Sequence, residues 1–411
     1  MRINIYGNEE KRDFIILLIS FILFPFFSLL FIFRKIYDGK NYALIFLAVF
    51  MGLLSMFYFP FGDQYRYYEW LKEYAYQSFD EVFNLNSILI YKQLNIISLC
   101  VFGASKIGFT LELLRFILVT VCYVMVLNVY RKISATNKNA LTKNDRWMLF
   151  LIYFLSLPFY FICFGFRTGV GICFLICGLY SIMNREKCKG FLGLLVASLC
   201  HVVFFLYFIV GLLLLNIRFY VSRKWLLLLL CIVPFISWIL LSSLYGKLDF
   251  LDAIMDVYIY GAWGIEYEWS FASIRNKLFL GGFAVSYIYF ILFSRKDKNL
   301  LYNFLTVNFF LLLLFLPFVT LTERIIAISL PLLTLYLFIY RSQCLSLFSK
   351  RVMLLLMGVT FLTPFWINRY PYRQAHIERI LYEPLPFILM NTYTSNDIYS
   401  HVNPDGEFVV K

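Results

Sequence analysis

Phe164-Gly165-Phe166-Arg167-Thr168-Gly169 sets one arginine between two long apolar runs, Trp147–Phe166 and Gly169–Met183. Runs of that length suit a pair of membrane helices, which places the arginine at the outer turn of a helical hairpin. A permanent charge at a membrane boundary is expensive, so it ordinarily has a partner or a task. The planar fork of a guanidinium matches the oxygens of phosphate and carboxylate. Which anion Arg167 meets is therefore the central question about this chain.

Working outward, the 411-residue chain is 62% hydrophobic and 15% charged, with a mean hydropathy of +0.76. That composition excludes a soluble globular domain. It predicts an all-α polytopic membrane protein of about 10–12 transmembrane helices. Apolar runs lie near 14–33, 41–60, 111–130, 147–164, 166–183, 225–244, 277–294, 299–318, 325–340 and 352–367. The first lacks a small-residue cleavage site and is followed by Arg34 and Lys35, so it reads as an internal span rather than a cleaved signal. No linker-like stretch, internal repeat or low-complexity tract interrupts the chain, and residues 1–411 read as a single integral membrane domain. The nine cysteines are scattered, most of them inside apolar runs, without metal-ligand or paired spacing; they read as small packing residues.

The net charge of +13 does not point to nucleic acid, because the basic residues cluster in short polar gaps. These gaps are Arg34/Lys35/Lys40, Arg131/Lys132/Lys138/Lys143/Arg146, Arg185/Lys187/Lys189, Arg218/Arg223/Lys224, Arg295/Lys296/Lys298 and Arg341/Lys350/Arg351. The positive-inside rule puts all six on the cytoplasmic side. Two consequences follow. The run 190–216 starts and ends inside yet is too short for two full spans, so it predicts a broken-helix hairpin with His201 near its tip. Residues 61–108 stay outside, with 88–107 as a re-entrant or surface helix. A rival arrangement has the N-terminus inside and 88–107 spanning, but it leaves Arg34, Lys35 and Lys40 outside. The outer face then carries the loops 61–108 and 245–276 and a C-terminal tail, 368–411. Carboxylates and aromatic rings on the long loop, among them Asp252, Glu266, Tyr260 and Trp263, suit a surface for sugars.

The candidate active-site residues gather on that outer face. In Gly62-Asp63-Gln64-Tyr65-Arg66-Tyr67-Tyr68-Glu69-Trp70, helical spacing puts Asp63, Arg66 and Tyr67 on one side. Asp63 is a candidate general base toward a sugar hydroxyl, or else one half of an Asp–Arg cap. Tyr65, Arg66, Glu69 and Glu323 are candidate substrate contacts. Gly165 and Gly169 frame Arg167 in a GxxxG that lets helices, or a bulky head group, come close. Arg167 is a candidate for phosphate or diphosphate, with interfacial snorkelling as the plain alternative. His201, one of three histidines, is a candidate base or diphosphate contact, or a structural residue. Glu323-Arg324 interrupts two apolar runs and offers a second arginine, or a local ion pair; Arg275 is a third candidate arginine, weakened by neighbouring Lys277. No nucleotide-binding or metal-ligand pattern is present.

In this order and topology the motifs resemble the bacterial oligosaccharide repeat-unit polymerases of the Wzy and EpsG-like families. Gly62-Asp63-Gln64-Tyr65 with Tyr68 and Trp70 is similar to the acidic–aromatic motif of the EpsG-like family, and Phe166-Arg167-Thr168-Gly169 to its arginine-headed helix. Gly178 follows Arg167 at a spacing seen in Wzy polymerases. Lys187-Cys188-Lys189 through Ala197-Ser198-Leu199-Cys200-His201 resembles the family's basic turn, apolar helix and terminal histidine. The resemblance is sharp over 60–210 and vague beyond. Thr168-Gly169-Val170-Gly171 departs from it, standing where the family has a larger polar residue and alanines, which bears on helix packing there.

The resemblance implies a glycosyltransferase of the bacterial inner membrane with its active face in the periplasm, making O-antigen, capsule or a related polysaccharide. It would move a growing glycan from undecaprenyl diphosphate onto the non-reducing end of a lipid-linked repeat unit. Arg167 and Arg324 would hold the diphosphate, with His201 or Asp63 as base, and no cofactor is required. Expected partners are the undecaprenyl-diphosphate-linked oligosaccharide, membrane lipid and a chain-length regulator protein, with no nucleic acid. An O-antigen ligase would use the same donor and similar arginines. A flippase would show two related halves and cations along the middle of several spans, and neither is visible.

Overall fold

The computed structural model describes residues 8–83, 95–136, 141–247, 299–316, 318–340, 344–367 and 376–404, with scattered positions elsewhere. Among these residues the regular elements are all helical. Helices α1 (Asn8–Leu23) and α2 (Pro25–Tyr37) meet at Phe24–Pro25, where proline removes a main-chain donor and begins the second helix. They fold back on each other, since Lys35 pairs with Asp13 and Lys40 with Glu10 at 3.2 Å. The run 14–33 is therefore not the single span that hydropathy suggests. It is a hairpin, and it puts the start of α1 at the same end as Lys35 and Lys40. Its outward residues, such as Ile15, Phe27 and Leu30, are exposed and apolar, as a lipid-facing surface should be.

Helix α3 (Tyr42–Met56) is almost wholly buried and lies against the long helix Leu111–Thr136, with Gly52 allowing close approach to Phe116 and Thr120. After a short turn come α4 (Asp63–Tyr74), α5 (Phe79–Phe83) and α6 (Ile96–Lys106). With 11 residues, α6 is about 16 Å long, roughly half the hydrocarbon thickness. Its last residue, Lys106, donates to the carbonyls of Ala75 and Gln77 at 3.1 and 2.6 Å, tying α6 to the chain just past α4.

The central bundle follows as α7 (Leu111–Thr136), α8 (Lys143–Ser156), α9 (Phe159–Cys163) and α10 (Phe166–Met183). Pro158 divides the run 147–164 into α8 and α9. Next, α11 (Lys187–Cys200) and α12 (Val202–Asn216) form the expected broken-helix hairpin, and the break is His201, extended at φ −158° and ψ 140°. Helix α10 packs most extensively on α11, where glycines replace side chains. A Cβ on Gly178 would lie 3.0 Å from the Gly190 carbonyl oxygen and from the Leu194 nitrogen. The bundle closes with α13 (Arg223–Leu244), α14 (Leu300–Leu314), α15 (Val319–Tyr340) and α16 (Leu347–Ile367). Among the described residues, Leu111–Thr136, Phe166–Met183, Leu321–Tyr340 and Leu347–Phe365 are long and apolar enough to cross a membrane.

The two ends of the bundle differ in chemistry. One gathers basic gaps into ion pairs, Lys143 with Asp38 and Lys350 with Asp145, each at 2.6 Å, beside the α1–α2 pairs. At the other end the chain's last segment returns over the ends of α3, α4 and α7. Asn391 donates to the Met56 carbonyl, Tyr393 Oη to the Phe57 carbonyl, and the Tyr393 N–H to Glu112.

Candidate functional site

Asp63, Arg167, His201 and Arg324 come from four different elements and meet at this second end. Asp63 opens α4, where a carboxylate favours the positive end of the helix. The preceding Gly62 has φ +59°, a conformation that glycine adopts without strain, and its N–H donates to the Gly406 carbonyl at 2.7 Å. Arg167 lies in the first turn of α10, just after Gly165. Asp63 Oδ1 stands 3.6 Å from Arg167 Nη2 and 3.6 Å from Arg66 Nη1. At that separation these are ion pairs rather than hydrogen bonds, and one carboxylate oxygen is shared by two guanidinium groups.

Two buried contacts hold that geometry. Gln64 is fully buried, and its Nε2 donates to the carbonyls of Cys163 and Phe164 at 3.0 and 2.9 Å. It thereby fastens the start of α4 to the end of α9, three residues before Arg167. Tyr67 stacks on Phe166, ring centroids 5.2 Å apart and 14° between planes. Gly169 lets α10 sit against α9, because a Cβ there would fall 2.3 Å from Ile162 Cα. Gly171 does the same for α12, with the Phe204 ring 2.4 Å from such an atom. Larger side chains at these two positions would not fit this packing, which gives the departure at 168–171 a physical reason.

His201 is buried at the α11–α12 break. Arg324 Nη1 lies 2.6 Å from its Nε2, and the Val203 N–H points at its Nδ1 from 3.2 Å. A guanidinium has donors and no acceptor, and a neutral imidazole has one lone pair. The ring cannot accept from both donors at once, so each contact calls for a different tautomer. Arg167 is also within electrostatic reach of this ring, so two arginines, one histidine and one carboxylate form a continuous cluster. Such a cluster can hold a diphosphate, whose negative charge would offset the two guanidinium groups that disfavour a proton on the ring.

The remaining candidates are placed as follows. Tyr65 is buried beneath Gly406, and its phenol is pushed up by burial, then by Glu69 and Tyr399. Arg66 is half-exposed. Glu69 accepts from Tyr399 Oη at 2.9 Å. Glu323 is buried beside Arg324. Arg275, together with most of the loop 245–276, lies outside the described residues. Among the described residues no group of three His, Cys, Asp or Glu is arranged to hold a metal ion.

Sequence reasoning passed over Gln64 as a clamp, and it overlooked Arg115. The latter is fully buried in α7, and its Nη1 donates to the Tyr58 carbonyl at 2.6 Å, bracing the turn that leads to Asp63. The signal was available: Glu112 and Arg115 are charges within an apolar run, where a charge usually has an assigned partner.

Fold and site together define an all-α polytopic membrane protein with a mixed-charge cluster at one end of its bundle. A sequence model of the EpsG family matches residues 41–376, and the chain belongs to that family, a family of Wzy-like polysaccharide polymerases. No curated protein and no solved structure matches the chain.

Proposed function

We propose that the chain polymerises a lipid-linked oligosaccharide repeat unit at the periplasmic face of the bacterial inner membrane. The growing glycan leaves undecaprenyl diphosphate and joins the non-reducing end of a fresh lipid-linked repeat. The observation that carries this reading is the convergence of Arg167, Arg324, His201 and Asp63 from four elements onto one end of the bundle.

The chemistry assigns each a part. The bond from the anomeric carbon to the diphosphate oxygen breaks, and its electron pair leaves with undecaprenyl diphosphate. Arg167 and Arg324 stabilise the charge that develops on this leaving group in a water-poor setting. The acceptor hydroxyl oxygen forms the new bond to the anomeric carbon and gives its proton to His201 Nε2. A diphosphate that draws Arg324 to itself turns that nitrogen toward the hydroxyl. Asp63, with two guanidinium groups on one oxygen, orients Arg167 rather than taking the proton.

Deletion of the gene in its own host tests the reading. Surface polysaccharide should collapse on a gel from a ladder to lipid core carrying one repeat unit, because export and attachment still operate. Loss of every repeat would instead mean transport or ligation.

A further inference from the structure

At the opposite end of the bundle stand the basic gaps, which take no part in the polymerase chemistry. A cavity of about 240 Å³ is lined there by Tyr37, Asp38, Lys40, Arg131, Arg146 and Trp147, among others. Its charges are not balanced. Asp38, the one carboxylate on the lining, is engaged by Lys143 at 2.6 Å. Lys40 is engaged by Glu10 at 3.2 Å. Arg131 and Arg146 are both half-buried, and among the described residues neither has a carboxylate within ion-pair distance. Two arginines lining one small cavity, neither in an ion pair among the described residues, suit an anion with several oxygens.

The surroundings say what kind of anion. Tyr37 and Trp147 meet edge to face, ring centroids 6.0 Å apart, and both are part-exposed, as aromatic residues at a membrane interface are. Leu30 and Phe31, one to two turns earlier on α2, are exposed apolar residues suited to acyl chains. The volume is below the roughly 300 Å³ where drug-sized sites begin, so it suits a headgroup and not an oligosaccharide. Basic pockets between membrane helices are known traps for anionic lipid headgroups.

We propose that this cavity binds the phosphate of an anionic phospholipid headgroup through Arg131 and Arg146. The site is independent of the polymerase reading, since it shares no residue with it and lies at the other end of the bundle.

The test uses the full chain purified in detergent. Melting temperature is followed on adding phosphatidylglycerol, phosphatidylcholine, diacylglycerol or inorganic phosphate, all at one ionic strength. A ligand that binds the folded state alone raises the melting temperature. Phosphatidylglycerol should raise it by several degrees, and the other three should leave it nearly unchanged. An equal rise with inorganic phosphate would overturn the lipid assignment, and no rise with phosphatidylglycerol would overturn the site. In Arg131→Gln/Arg146→Gln the rise should vanish, and a full rise there would place the lipid elsewhere. The lipid comparison on the unaltered chain decides the matter even if that variant fails to accumulate.

Discussion

At the scale of residues, Arg167 and His201 carry the most discriminating tests. Arg167 reaches the site through rigid parts: Gln64 on the α9 carbonyls, Tyr67 on Phe166, and Gly169 against Ile162. Removing a donor that meets developing charge ordinarily lowers turnover by about 10²–10³-fold. Arg167→Ala should therefore abolish visible chain growth while the protein still accumulates in the membrane. Full-length polysaccharide from a well-expressed variant would remove Arg167 from the diphosphate. His201 has two separable tasks, since its ring faces Arg324 and also the Val203 N–H at the start of α12. Asparagine is a strong helix N-cap but no base at neutral pH. His201→Asn should leave expression and melting temperature near the parental values and lower turnover by about 10²–10⁴-fold. Parental turnover in His201→Asn would mean that the ring only caps the helix.

At the scale of elements, close packing and paired charges do different work. Helices α10 and α11 approach through Gly178, Gly190 and Gly193, where any side chain would push backbone from backbone. The spacing of Gly178 from Arg167, legible in the sequence, thus has a packing explanation that needs no ligand. Helices α8 and α16 are joined at the other end by Asp145 and Lys350, the lysine almost fully buried. The hydrogen bond from Lys350, opposed by burial and aided by Thr142, holds the Asp145 carboxyl below its usual range. A carboxylate depressed in the folded state adds stability above its unfolded value and loses it as pH falls through the folded one. Thermal unfolding in detergent should show that loss below about pH 4. In Lys350→Met the contribution should be absent, and the stability curve flatter across that acid range. An unchanged acid limb in the variant would show that the pair contributes nothing.

At the scale of the whole molecule, the two ends of the bundle differ, and that difference carries a prediction about orientation. One end carries the ion-paired basic gaps, the other the site and the returning tail. The positive-inside rule predicts that the basic end faces the cytoplasm. Cys188 is exposed in the basic turn at the start of α11, while Tyr76, at 93% exposure, follows α4. In chains stripped of other cysteines, an impermeant thiol reagent added to intact cells should label Tyr76→Cys and miss Cys188. The opposite pattern would invert the topology and move the site to the cytoplasm.

The sequence by itself determined that this is a helical membrane protein and which polar residues stand out from it, because hydropathy and charge position are local properties. It also located the α11–α12 hairpin, since basic residues flank a run too short for two spans. What a local pattern cannot register is how runs fold on one another. The run 14–33 is apolar throughout, yet Pro25 and the Asp13–Lys35 pair turn it into a hairpin. The run 147–164 is split at Pro158. Arg324 meets His201, 123 residues away in sequence, and Gln64 meets the carbonyls of Cys163 and Phe164. These pairings are tertiary because a buried charge or amide is satisfied by whichever donors and acceptors the packing brings within about 3 Å. Spacing along the chain carries no record of that choice.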